Sequence, residues 1–261
     1  MRIASLQPSI TVTLKHLGKL DQLCACTKYC LDVVPELKDT KVNILHDSWT
    51  ANTEEILAAK PDIVIASVPY RMESLAAILK SGLPVLTLAP HTLADIDKDT
   101  RILANLVHAH EAGEKLIQQM HTVVENVRAR TASIPRKRIY CEEWGNPLIH
   151  SQGWVAELIE AAGGQFLGIP GSHTTAEAVA AAEPDVLLFA WCGAGDRVPL
   201  DRTIAQRNWH HMKAVRSKNV YCIPDEFLNT PAITLLDGLA CIAHALHPQM
   251  FLYPRRLIRQ N

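Results

Sequence analysis

The chain repeats one sentence of structure. Glu54-Glu55-Ile56-Leu57-Ala58-Ala59-Lys60-Pro61-Asp62-Ile63-Val64-Ile65-Ala66 reads as a helix, a tight Pro-Asp turn and a buried strand. Glu177-Ala178-Val179-Ala180-Ala181-Ala182-Glu183-Pro184-Asp185-Val186-Leu187-Leu188-Phe189-Ala190 has the same order 123 residues later. Both strands are continuous apolar runs, as expected of parallel strands buried on two faces. Each half also opens on a basic residue and a short strand, Arg2-Ile3-Ala4-Ser5 and Arg138-Ile139-Tyr140-Cys141. Each turns at Gly or Ser before a later strand, at Gly82 and at Ser217. The period is far too long for a solenoid. The fold class predicted is α/β, with two Rossmann-like lobes built on parallel sheets. A length of 261 residues admits one domain or two, and the echo selects two.

Residues 92–132 carry no proline, and Ile102, Leu103, Leu106, Val107, Leu116, Ile117, Met120, Val123, Val124 and Val127 recur at helical spacing. One helix over Asp95–Arg130 would reach about 50 Å. Two shorter helices broken at Gly113 are the alternative, since glycine costs about 1 kcal/mol relative to alanine inside a helix. The expected boundaries are 1–91 for an N-terminal α/β lobe, 92–132 for one long linking helix and 133–261 for a C-terminal α/β lobe. Ligands of open parallel sheets bind at the carboxyl ends of the strands, so a ligand cleft is expected between the lobes.

Composition excludes other classes. Apolar residues make up 48% of the chain, which rules out disorder. A net charge of -1 without a basic block gives no footprint for nucleic acid. No apolar run is long enough to span a membrane. The chain as written opens without a secretory signal, which reads as cytoplasmic, or as periplasmic if the true start lies upstream. Seven scattered cysteines read as reduced thiols.

The residues that follow the predicted strands concentrate the large aromatics. Tyr29, Trp49, Tyr70, Trp144, Trp191 and Phe227 all fall there, although only 5% of the chain is aromatic. Aromatics gathered in loops suit a flat or apolar ligand; capping of the sheet ends is the plainer explanation for any single one. Cys30, His46, His91 and Cys192 are the candidate metal ligands, because thiolate and imidazole suit Zn, Fe or Co. Their spacing matches no zinc-ribbon pattern, and ordinary buried thiols and surface imidazoles explain them equally. His210-His211 reads as solvated. No P-loop, nucleophile elbow or Gly-x-Gly-x-x-Gly fingerprint follows a strand. Glu142-Glu143 offers paired carboxylates, but neighbours in a strand point to opposite faces, so only one would reach the cleft. The pattern favours binding over catalysis.

Several motifs taken in order resemble a known family. Arg2-Ile3-Ala4-Ser5-Leu6-Gln7-Pro8-Ser9-Ile10-Thr11 with Leu17-Gly18, Thr27-Lys28-Tyr29-Cys30, Ser48-Trp49 with Glu54-Glu55-Ile56, Glu142-Glu143-Trp144, Trp154 to Gly164, and Trp191-Cys192-Gly193 are similar to the class III substrate-binding proteins. That helical-backbone group binds vitamin B12, haem and ferric siderophores for ABC importers. The resemblance implies a substrate-binding protein, not an enzyme, for a metal-containing macrocycle or chelate, with a corrinoid preferred and haem or a ferric siderophore next. No cofactor is required. Tyr29, Trp49, Tyr70, Trp144, Trp191 and Phe227 would wall the ring; Gln7, Asp225 and Asn229 would hydrogen-bond its periphery. The family docks on its permease through one acidic residue per lobe, and Glu73 stands near the first such position. The alternatives are a cytosolic metal-ion or chelate carrier using the thiols and His46, and an enzyme, a chelatase or hydrolase, using Glu142 or Glu143.

Overall fold

A computed structural model describes residues 1–46, 52–67 and 72–260. The chain divides into two compact units, Met1–Gln119 and Met120–Asn261. In the first, β1 (Ile3–Ser5), β2 (Leu23–Thr27), β3 (Asn43–Leu45), β4 (Ile63–Ser67) and β5 (Val85–Leu88) form a sheet in the order β3-β2-β1-β4-β5. Every neighbouring pair is parallel, which gives the doubly wound arrangement. The chain order reverses between β1 and β4, and the switch point of such a sheet is where ligands collect. Around it run α1 (Pro8–His16), α2 (Cys30–Val33), α3 (Thr53–Ala58) and α4 (Met72–Lys80). Ala4, Leu6, Ala25, Ile56, Val64 and Ile78 make one of its buried apolar clusters.

The second unit holds β6 (Lys137–Gly145), β7 (Leu148–His150), β8 (Gly164–Phe166), β9 (His173–Thr174), β10 (Val186–Phe189), β11 (Val220–Cys222) and β12 (Ile258–Arg259). Strands β8, β6, β10 and β11 run parallel, while β7, β9 and β12 extend the sheet antiparallel. Its helices are α7 (Gly153–Ala161), α8 (Ala176–Ala181), α9 (Leu200–Gln206), α10 (Lys213–Arg216), α11 (Asp225–Leu228) and α12 (Leu235–Leu246). Leu187, Phe189, Ile204 and Trp209 are buried in its core.

The echo in the sequence is an echo in geometry. Just past α3 stands Lys60, with φ +49°, and just past α8 stands Glu183, with φ +45°, each immediately before the Pro-Asp pair. The left-handed residue reverses the chain toward its strand, and proline blocks any continuation of the helix. Asp62 then accepts a hydrogen bond from the Arg2 backbone N–H at 2.6 Å, and Asp185 accepts one from the Arg138 N–H at 3.0 Å. In return the N–H of each aspartate donates to the carbonyl of the same arginine, at 2.8 Å in both units. This reciprocal clamp fastens β4 to β1 and β10 to β6 at their amino-terminal ends.

The linking segment differs from the single helix expected over Asp95–Arg130. It forms α5 (Leu93–Leu106) and α6 (His110–Thr131). The break is not at Gly113. Helix α5 stops with His108 at φ +53°, the His108 N–H donating to Asn105 O at 3.2 Å and the Ala109 N–H to Ala104 O at 2.8 Å. These are the two bonds of a Schellman cap, here without the usual glycine. Gly113 lies within the first turn of α6, where a Cβ would stand 2.5 Å from Ala104 Cβ. The glycine serves close approach of the two helices, which Arg101–Glu114 reinforces at 2.8 Å. The division between the units falls inside α6. Among the described residues, no helix is long and apolar enough to cross a membrane.

Candidate functional site

In the second unit, the carboxyl end of the sheet is organised around Glu142, which is 0% exposed. Its carboxylate accepts both terminal nitrogens of Arg207 at 2.8 Å, the Trp191 indole Nε1–H at 2.7 Å and the Tyr140 hydroxyl. A carboxylate has roughly four acceptor positions, and all are filled. Burial and the neighbouring negative charge push the Tyr140 phenol far up, so it remains a donor. The Arg207 guanidinium lies 4.8 Å from the Trp209 ring centre, 5.8 Å from Phe189 and 5.9 Å from Trp191. Trp191 follows β10 and is half-buried. Its ring lies on the backbone of Gly145, where a Cβ would come within 2.5 Å of the indole.

Glu143 points the other way. Burial pushes its carboxyl up, and the hydrogen bond from Gln152 Nε2, at 2.6 Å, only partly offsets this. The Cys192 thiol donates to it at 3.8 Å. Burial, then the charge of Glu143, pushes that thiol well up. Asn229 Nδ2 donates to Ala190 O at 2.7 Å and to Cys192 Sγ at 3.2 Å. Asp225 accepts from the Gly193 and Gly195 N–H groups at 2.8 and 2.7 Å, fastening the loop after β10 to α11. Phe227, on α11, is half-buried under the guanidinium of Arg256 at 5.5 Å. Arg256 itself pairs with Glu226 and Asp196.

In the first unit, Gln7 is buried at the start of α1, next to the switch point. Tyr29 follows β2, half-buried, with Lys28 Nζ 5.0 Å above its ring. Cys30 is 0% exposed and takes hydrogen bonds with Thr11 Oγ1 at 3.1 Å and Thr27 Oγ1 at 3.3 Å. Burial pushes its thiol up, but the hydrogen bonds with Cys26, Thr11 and Thr27 outweigh that and bring it to about 7. Cys26 is pushed the opposite way, by the hydrogen bond to Cys30 and by burial.

Among the expected ligand contacts, the structure thus puts Tyr29, Trp191 and Phe227 at strand ends, half-buried and partly open. Trp144 is 40% exposed but lies inside β6, because that strand runs on into a hairpin with β7. Asp225 and Asn229 spend side-chain hydrogen bonds on the protein's own loops. Trp49 and Tyr70 lie outside the described residues. Glu73 is exposed in the first turn of α4, and His210 and His211 are exposed as expected.

The metal candidates do not behave as a set. Cys30 sits under α1 among hydroxyls rather than at an open edge. His46 is exposed and bonded through Nδ1 to Glu55 at 2.7 Å, and His91 is exposed at the start of α5. Among the described residues, no three His, Cys, Asp or Glu side chains gather as a metal site. Sequence reading missed Arg207 altogether. Its partner is 65 residues away, and its only local mark is a position two residues before Trp209.

Residues 3–227 match the family model described as "Periplasmic binding protein". The Vitamin B12-binding protein of Vibrio cholerae is 26% identical over 252 residues, covering 91% of this chain and 86% of that protein. An uncharacterized ABC transporter substrate-binding lipoprotein of Bacillus subtilis is 22% identical, covering 96% of this chain and 81% of its relative. A periplasmic heme binding protein from Pseudomonas aeruginosa superposes with a TM-score of 0.82 at 18% identity, covering 100% of this chain and 98% of the other.

Proposed function

The chain belongs to the periplasmic binding protein family, made up of substrate-binding proteins of ABC transporters and not of enzymes, and from that premise we propose that its substrate is a metal-containing macrocycle or chelate, a corrinoid first and haem or a ferric siderophore next. The observation that carries this reading is the aromatic set Tyr29, Trp191 and Phe227, half-buried at the carboxyl ends of β2, β10 and β11, with Trp144 exposed at the end of β6. Half-buried aromatic rings beside strand ends suit stacking on a flat apolar ligand. Similarity along 91% of the chain to the Vitamin B12-binding protein of Vibrio cholerae supports the same ligand class. Trp49 and Tyr70, outside the described residues, belong to the same proposal, as does Gln7 as a polar group for the ligand's rim. Absorbance and calorimetric titration with cyanocobalamin, cobinamide and haemin tests the reading. It expects at least one Kd below micromolar; weaker binding of all three would overturn it.

The same reading includes an ABC permease as partner and a periplasmic or membrane-anchored setting, as for the relatives. Glu73 stands at the second position of α4, between β4 and β5. The internal echo equates α4 with α9, between β10 and β11, whose second position is Asp201. Asp201 is exposed and is touched by Gln260 Nε2 at 2.8 Å. These two acids are the proposed docking pair. Charge reversal at both should leave ligand affinity intact and remove uptake in cells; unchanged uptake would exclude them.

A further inference from the structure

A buried ion pair is a poor device for stability. Removing two charges from water costs several kcal/mol per ion before their attraction repays it, and apolar replacements are often neutral. The Glu142–Arg207 pair is nonetheless built in full, with side chains 0% and 10% exposed. One of the four donors on Glu142 is the indole of Trp191, a half-buried ring at the open edge of the sheet. The other three come from groups that cannot move away: Arg207 contributes two, held among Trp209, Phe189 and Trp191, and Tyr140 is buried.

Resting on the reading that Trp191 faces the ligand, we propose that Glu142 and Arg207 are positioning residues for ligand binding, which fix the orientation of the Trp191 ring before the ligand arrives. Three contacts hold the indole. Glu142 Oε1 takes its N–H, the backbone at Gly145 leaves no room for a Cβ beneath it, and Phe189 meets it edge-on with ring centres 6.4 Å apart at 84°. Arg207 locks the carboxylate by its two-pronged grip and so fixes where Oε1 points. The indole then stacks without first surrendering rotamer freedom. With Glu142 absent, the indole loses this acceptor, and only the Gly145 and Phe189 contacts still hold the ring.

Two double variants separate this role from a structural one. Glu142→Leu/Arg207→Met removes the charge pair and the acceptor together. Glu142→Gln/Arg207→Met removes the charge pair but keeps an oxygen for the indole. Both avoid a stranded charge. With cyanocobalamin and haemin as probes, the Leu variant should lose about tenfold or more in affinity and the Gln variant only about threefold. Equal affinities for the two variants would overturn the proposal. A readout without ligand keeps the result separate from the identity of the substrate, and serves if either variant fails to fold. In 15N-tryptophan-labelled wild-type protein, the Trp191 indole N–H, assigned through Trp191→Phe, should exchange slowly with solvent. Fast exchange would contradict the fixed ring, whichever substrate the protein takes.

Discussion

Beneath the sheet edge of the first unit, the buried polar groups are hydroxyls and thiols: Ser5, Thr11 and Thr27 linked to Cys26 and Cys30. At the matching edge of the second unit lies the ion pair Glu142–Arg207. The opposite ends of the two sheets are alike, since both carry a left-handed residue, Pro-Asp and a clamp onto an arginine at the amino-terminal end of the unit's first strand. The contrast teaches that the duplicated part of this fold is the part that joins strands, while the carboxyl edges, where a doubly wound sheet binds its ligand, were built separately.

The contrast between an ion pair and a hydroxyl–thiol cluster gives the largest expected effect. Glu142→Ala strands a buried guanidinium and should cost about 3–5 kcal/mol. Thr11→Val removes one hydroxyl partner of Cys30 and should cost about 1 kcal/mol. Denaturant unfolding of both variants checks the pair, and comparable losses would break the comparison.

Two glycines sharpen it next. A Cβ at 113 or at 145 meets its neighbour at 2.5 Å, so Gly113→Ala and Gly145→Ala should each cost about 1–3 kcal/mol through overpacking. At position 113 the neighbour is Ala104 in the α5–α6 hairpin, so ligand affinity should hold. At position 145 it is the Trp191 ring, so affinity should fall as well. Calorimetry alongside melting distinguishes the two.

The clamps should be the most equal features. Asp62→Ala and Asp185→Ala each remove one backbone partner, at about 1 kcal/mol. The exposed Lys213 partner of Asp185 adds little. A loss several times larger at one site would mean that the echo is one of shape only.

Acidification gives the smallest difference. Burial lowers His150 and His247 in the second unit, and His16 in the first, where Lys15 adds to it. A lowered folded pKa means that the unfolded chain takes the proton first. Stability is therefore full above about pH 6.5 and falls as the pH drops from there through the folded values. His150→Gln should flatten the loss of stability between pH 7 and pH 5; an unchanged slope would remove His150 from the account.

Most of the fold was legible because its signals are local: apolar runs bounded by Pro-Asp, written twice. The break between α5 and α6 was not, because a Schellman cap with His108 in the glycine position leaves no Gly or Pro to read, while Gly113 advertises a break and supplies a contact. At the candidate site, the positions of Tyr29 and Trp191 just after strands were legible in the sequence. Their supports were not. Glu142 and Arg207 meet only through the tertiary fold, and Asp225 looks like any surface acid until its two glycine N–H partners are seen. The burial of Cys30 was hidden for the same reason: proximity to a strand end does not say which face of the loop a side chain takes.

Hydrogen–deuterium exchange with and without saturating cyanocobalamin, then haemin, tests most directly whether the ligand sits at the strand carboxyl ends. The account predicts ligand-dependent protection in the segments around Lys28–Cys30, Glu143–Gly145, Trp191–Gly195 and Asp225–Asn229. Protection confined to other segments, or none with either compound, would contradict it.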